Sequence, residues 1–511
     1  MLSSARALVV TLAVMLLALA ASVQHANAAG AIFSYYYGQE GGLKPWEQPG
    51  NKITHVIFSF ANILTDGTVT MQGPTFTPAG RDSIPKAMQR SMGNRDTRRC
   101  ECQGTCLRGE LYQTFLLKQQ YPHLKTIMSI GGWTWSDNFS VAMSSQATRK
   151  RAIDTSAALM DEFGFDGLDI DWEFPSTAKD TKEFPFWKFS DNDYDNLALF
   201  FTEARAAYNG KYSLTAATPG FIFKGKPESW VAFGRSVDHM LVMAYEYQHG
   251  QPRTWGGGTL RATAGDSDVE KKNNVEYGLS TYLERGIPKE KLVVGIPLYG
   301  TGYSGLSSNA AFRGIPGFGA PTSGLKPLEP TAYNVLLDRF SKGKWTRTVD
   351  TQRGIVVYFD GSNVWFVDGP ETVKMKAQWA KDQGFNGVML WNSAQDMKAD
   401  HPDSLISAIS SVYPVDTKAG ARDKPFCINN SKNWCNLDCN FKPLTSNVTD
   451  PAAGGANGNA PGPGGLADPA KAGSTTGSFG SGADKAAWTV SAAVSMVGAA
   501  VVGLVAAAVA M

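Results

Sequence analysis

Short apolar runs and longer stretches of helical spacing alternate along this chain from Ala31 to Val412. Ala31–Gly38 (with three consecutive tyrosines), Ile53–Ala61, Lys125–Trp133, Tyr212–Pro219, Val237–Tyr247, Leu292–Gly300 and Phe385–Trp391 read as strands of the buried type. Between them Glu110–Gln120, Ser145–Phe163, Asn192–Tyr208, residues 268–286 and Ser404–Val412 predict helices. With one more strand through Asp166–Glu173, strand and helix alternate about eight times, which predicts an α/β fold, a (β/α)8 TIM barrel. Two stretches interrupt the rhythm. Residues 63–106 are polar and cysteine-bearing and predict a long loop. The seventh and eighth strands are too far apart for one loop and one helix. Tyr333–Arg339 predicts a helix there, and Gly354–Phe359 with Asn363–Val367 a hairpin turning at Asp360-Gly361. A small α+β insertion over about residues 301–370 follows.

The strand through residue 166 carries the chemistry. It reads Asp166-Gly167-Leu168-Asp169-Ile170-Asp171-Trp172-Glu173, with acids alternating against bulky apolar residues. Side chains on a strand alternate between faces, so Asp169, Asp171 and Glu173 share one face and Asp166 has the opposite parity. Three acids in a row repel, and at least one then holds its proton near neutral pH. A protonated acid beside ionised ones is what cleavage of a glycosidic bond requires. A calcium loop is the bland alternative, but it spaces its ligands on a turn around a glycine.

The pattern Asp166-x-x-Asp169-x-Asp171-x-Glu173 resembles the signature of family 18 glycoside hydrolases, the chitinase family. The resemblance spans about residues 30–415 and implies a TIM barrel with this strand as the fourth, and the insertion as a wall of the cleft. It implies Glu173 as proton donor, Asp171 as partner of the substrate acetamido group and Asp169 as the acid that tunes Asp171. It makes Ser129, Gly131 and Gly132 the motif set against the acids; Asp166, by its opposite parity, reads as a structural acid at the strand start. Tyr245, in Met243-x-Tyr245-Glu246, is implied as a hydrogen-bond donor to the acetamido group, and Trp391 as the floor under the reacting sugar. Trp133, Trp135 and Tyr36 are candidate stacking surfaces. Three residues depart from the family pattern: Glu246 stands for an Asp, Phe174 for a Tyr and Thr301 for a frequent Arg. Those departures bear on subsites rather than on the bond broken.

Charge narrows the partners. With 48 basic and 46 acidic residues the net charge is +2, which argues against nucleic acid. The six histidines show no metal-ligand spacing and no phosphate loop is evident, so no metal and no cofactor is expected. The termini read as addresses. Residues 1–28 combine Arg6, an apolar run and Ala26-Asn27-Ala28, a secretory signal peptide rather than an anchor. No charge follows Lys485, and small residues around Ser481 precede the hydrophobic tail 486–511. That pattern reads as a GPI-attachment signal, with a plain membrane-spanning helix as the alternative. Residues 446–485 are a Gly/Ala/Pro/Ser-rich stalk behind a cysteine-containing segment, 416–445. Cysteines 100, 102 and 106, with 427, 435 and 439, favour disulfides over zinc in a secreted chain. Sequons at Asn138, Asn429 and Asn447 suit the same compartment.

The expected substrate is therefore chitin or chitooligosaccharides. An endo-β-N-acetylglucosaminidase acting on N-glycans would use the same acids. A chitin-binding lectin on this fold would typically lack the last acid, and Glu173 is present. A cell-wall adhesion role is the remaining alternative.

Overall fold

A computed structural model describes residues 30–37, 42–43, 45–71, 109–179 and 187–421. The signal peptide, all six cysteines, the stalk, the hydrophobic tail and the sequons at Asn429 and Asn447 lie outside the described residues.

Eight parallel strands close into a barrel: β1 (Ala31–Tyr36), β2 (His55–Ile63), β3 (Lys125–Gly131), β4 (Gly167–Asp171), β5 (Ser213–Thr218), β6 (His239–Val242), β7 (Leu292–Pro297) and β8 (Gly387–Trp391). Each pairs with its neighbours in chain order, and pairing of β1 with both β2 and β8 shuts the ring. Alternation along each strand sorts the core into two layers. Phe33, Tyr35, Ile57, Ile127, Leu241, Val293 and Met389 point inward and fill the barrel. Ile32, Tyr36, Val56, Leu168, Ile170 and Val294 point outward, against the surrounding helices. The interior is thus packed rather than open, and function is left to the strand exits.

Helices form where residues 110–120, 145–163 and 192–208 predicted them. Ser145 caps the second by accepting from Thr148 N at 3.2 Å, and Gly164 ends it in the left-handed region, φ 72°. The stretch 268–286 breaks into Asp268–Lys271 and Val275–Glu284 because Asn274 restarts the helix, accepting from Tyr277 N at 3.0 Å. Pro227–Ser236 and Pro370–Gln383 are two further helices that the pattern did not reveal, each opening on a proline.

Two strand expectations are corrected. The sixth strand ends at Val242, not Tyr247. Ala244 N donates to Val242 O and Tyr245 N to Met243 O, both at 2.8 Å, so the chain curls tightly, and Glu246 stands at φ 63°. The seventh ends at Pro297, and Tyr299–Ser304 leaves the barrel for the insertion. There it joins an antiparallel sheet of five strands ordered 326–332, 299–304, 363–367, 355–359 and 346–350. The expected hairpin at Asp360-Gly361 is its third and fourth strands, and Tyr333–Lys342 is its helix.

Asn138 lies between β3 and the short helix Phe139–Met143. Its amide donates to Ile63 O at 2.9 Å, Phe139 is fully buried, and Ser140 Oγ is buried on Asp193 Oδ1 at 2.8 Å. A glycan needs the same amide nitrogen and space around it. Peptide mapping of the protein made in a glycosylating host is expected to find Asn138 unmodified; an occupied site would contradict this geometry.

Candidate active site

Register assembles the site. Ser129 on β3 and Thr215 on β5 are direct partners of Asp169 on β4. Equal register and equal parity send all three side chains inward at one level. Ser129 Oγ donates to Asp169 Oδ2 at 2.7 Å and Thr215 Oγ1 to Oδ1 at 2.7 Å, while Tyr35 Oη reaches Oδ2 from β1 at 2.8 Å. Asp169 is fully buried, which pushes its carboxyl up, and these three donors pull it back.

One level higher Asp171 is flanked by Gly131 and Ala217. Gly131 has no side chain for a steric reason. At φ 110° a Cβ there would stand 2.3 Å from Asp171 O. Gly132 N donates to that same oxygen at 2.8 Å. Small neighbours leave Asp171 exposed only upward, and its Oδ1, though buried, finds no hydrogen-bond partner among the described residues. Burial holds its carboxyl well above the ordinary range, and repulsion from Glu173 and Asp169 adds to that.

Glu173 lies past the end of β4, with its N–H donated to Ser136 Oγ at 3.0 Å. Burial raises its carboxyl to about 7, with Lys179 opposing and Glu246 reinforcing the shift. An acid that holds its proton to neutrality beside a second carboxyl meets the requirement for general acid catalysis.

Both acids open into a cavity of about 330 Å³. Its walls come from other strand exits. Met243, Tyr245 and Glu246 arrive on the curl after β6, which is why the consecutive residues 245 and 246 both reach it. Tyr299 Oη donates to Glu246 Oε1 at 2.7 Å, and His249 Nε2 lies 3.2 Å from Oε2. Burial, then the charges of Asp171 and Glu173, hold the Tyr245 phenol far above its usual range, so it stays a neutral donor. Trp391 stacks on Phe60 with ring centroids 5.8 Å apart and on Tyr37 at 6.3 Å, which fixes its face toward the cleft. Trp133 lines the wall as well.

The expected stacking role of Tyr36 is overturned. Its parity turns it outward, where it is 1% exposed and donates to Glu110 Oε1 at 3.0 Å. Tyr35 points inward and Tyr37 lines the cleft. Trp135 packs at the barrel edge and is not among the cleft-lining residues. Asp166 sits below the strand, accepting from Thr126 N at 2.8 Å and paired with Lys118 Nζ at 2.8 Å. Thr301 borders a small space behind Glu246 rather than the main cavity.

Several contributors escaped the sequence. Tyr35 and Thr215 bind Asp169, and Tyr299 orients Glu246. Phe221 and Phe223, after β5, form an apolar wall with Phe174, with Phe174–Phe223 centroids at 6.4 Å and Phe221–Phe223 at 5.8 Å. Phe174 therefore faces other rings, where a phenol would have to shed its water. Only Tyr35 left a usable signal, its parity with Phe33.

The family model described as Glycosyl hydrolases family 18 matches residues 32–396. Chitinase 1 of Aphanocladium album is 29% identical over 398 residues, spanning 74% of this chain and 84% of that protein. Chitotriosidase-1 of Mus musculus is 30% identical over 291 residues, 55% of this chain and 61% of that one. Among solved structures, the Group IV chitinase of Ostrinia furnacalis in complex with allosamidin superposes with a TM-score of 0.59 at 22% identity, covering 77% of this chain and all of that one. A mutant class V chitinase of Nicotiana tobaccum, in complex with NAG4, gives 0.58 at 22% identity over 76% of this chain and 99% of that one.

Proposed function

The chain belongs to glycosyl hydrolase family 18, and from that premise we propose that it is a chitinase that hydrolyses β-1,4 N-acetylglucosamine linkages with retention of configuration. One observation carries the reading: a buried carboxyl oxygen on Asp171, unpartnered among the described residues, adjoins Glu173, whose carboxyl is raised to about 7. An unsatisfied buried acceptor is costly unless a ligand supplies the donor. The acetamido N–H of N-acetylglucosamine is such a donor.

Glu173 gives its proton to the glycosidic oxygen as the bond to the anomeric carbon breaks. The carbonyl oxygen of the substrate acetamido group attacks that carbon, and an oxazolinium ion forms. Asp171 accepts a hydrogen bond from the acetamido N–H and balances the positive charge, while Asp169, itself tied by three donors, tunes the Asp171 carboxyl by its charge. Tyr245 donates to the acetamido oxygen. Water then attacks the anomeric carbon, Glu173 accepts its proton, and the acetamido group is restored.

The test is a product time course on chitohexaose read by proton NMR, with a high-mannose glycopeptide alongside. Initial β-anomer from the oligosaccharide supports the reading. Initial α-anomer, or cleavage confined to the glycopeptide, refutes it. The termini support a cell-surface address. A phosphatidylinositol-specific phospholipase should release the activity from intact cells, and activity that stays with the membrane after treatment would favour a spanning helix instead.

A further inference from the structure

Lys179 is 7% exposed, six residues beyond Glu173 on the loop after β4. Burying an ammonium demands compensation. Its Nζ donates to Trp133 O at 2.9 Å and lies 3.6 Å from the centroid of the Trp133 ring and 4.3 Å from that of Trp187. Two indole faces and a carbonyl form a cage suited to a cation. Trp187 is held in turn, its Nε1 donating to Thr177 O at 2.7 Å. The loops after β3 and β4 are thereby joined through three contacts: the Glu173 N–H donates to Ser136 Oγ, the Trp133 N–H donates to the Glu173 carboxyl, and Lys179 donates to the Trp133 carbonyl, so the ammonium and the acid meet on the same residue.

Resting on the hydrolase reading above, we propose that Lys179 is a positioning residue for the acid pair: its caged ammonium ties the Glu173 loop to the Trp133 loop and sets a fixed positive charge beside Asp171 and Glu173. That charge acts on both carboxyls, pulling each down against the burial that pushes them up. It pulls likewise on Asp137, on the loop after β3. Among the described residues the opposing charges are Glu173 and Asp169, which push Asp171 up, and Glu246, after β6, which pushes Glu173 up. Without Lys179 the acids would hold their protons to a higher pH, and Trp133 would lose the contact that fixes its carbonyl.

The sign follows directly. Removing a neighbouring cation raises carboxyl pKa values, so both limbs of the pH–rate profile move to higher pH. For Lys179→Gln, which keeps a donor but no charge, a shift of both limbs by about half to one pH unit is expected. Lys179→Met should shift them equally and lower kcat/KM on the acid limb, at pH 5, by about three- to tenfold, the loss that such a shift gives. Lys179→Arg should return the limbs to their native position. Limbs that stay put in the Gln variant, whatever its rate, would overturn the proposal and leave Lys179 a structural strap. Carbon-13 NMR titration of the Asp and Glu carboxyls in the free protein reads the same shift without turnover. An unmoved titration there also overturns the proposal, whereas a moved titration in a protein that never cleaves chitooligosaccharide upholds the charge assignment and sinks the hydrolase reading.

Discussion

Glu173→Gln is expected to lower kcat on chitooligosaccharides by at least about a thousandfold while leaving their affinity within a few-fold. Gln preserves the shape of the side chain and its place past β4, with the backbone N–H still on Ser136 Oγ. It has no proton to give the leaving oxygen and cannot later accept one from water. The cavity walls proposed to hold the sugar, Trp391, Tyr245 and Trp133, are untouched. Turnover within tenfold of the native enzyme, with product assayed by mass, would sink the assignment.

The same substitution carries a stability signature. The Glu173 carboxyl is raised from 4.5 to about 7 in the folded chain. A raised carboxyl stabilises the fold fully below its unfolded pKa and loses that contribution as pH rises through the folded value. Native protein should therefore lose, between pH 5 and pH 8, on the order of 1–3 kcal/mol that the Gln variant does not lose. Buried His55 and His239 act in the opposite sense. Burial lowers both, His239 to about 4, so they withdraw stability as pH falls from 6.5 toward 4. Thermal melts of the two proteins should diverge on the alkaline side and run parallel on the acid side. Equal Tm differences across the range would contradict the raised carboxyl.

What the sequence disclosed and what it hid divide along physical lines. Strands of the barrel were legible because burial on both faces demands apolar runs. The insertion strands 326–332 and 346–350 were not, since the first is largely solvent-facing and interrupted by Pro327 and Pro330 and the second reads Thr-Arg-Thr-Val-Asp. Partial burial asks for little apolar content, and proline is tolerated on an edge. The acid row was legible as candidate chemistry, because like charges so spaced carry a cost that a structural role does not explain. Of its supports Ser129 was expected against the acids, whereas Thr215 was hidden because its contact with Asp169 depends on register, which the local pattern does not fix. Tyr36 was misassigned for a related reason. Three adjacent tyrosines carry no alternation, and only the inward side chain of Phe33 sets their parity. Lys179 is six residues from the acid in sequence, and nothing along the chain announces the two indoles that trap it.

Asp171→Asn separates chemistry from folding most sharply. The carboxyl is buried, carries one unpartnered oxygen and is forced well above its ordinary range, first by burial and then by Glu173 and Asp169. As a structural element it is therefore unfavourable, and a neutral amide of the same shape relieves the repulsion. The proposed catalysis needs the opposite: an acceptor for the acetamido N–H and a negative charge as the oxazolinium ion forms. Transition-state charge stabilisation of this kind is worth about a hundred- to a thousandfold in rate. The variant should lose that much in kcat/KM while its Tm at pH 7 stays equal to or above that of the native protein, the pattern expected where function is held at the expense of stability. Asp169→Asn, by contrast, breaks a carboxylate held by Tyr35, Ser129 and Thr215, and should lower both rate and Tm. An Asp171→Asn protein that melts earlier in step with its lost activity would show the acid to be a fold element, and a loss below tenfold would remove it from the reaction.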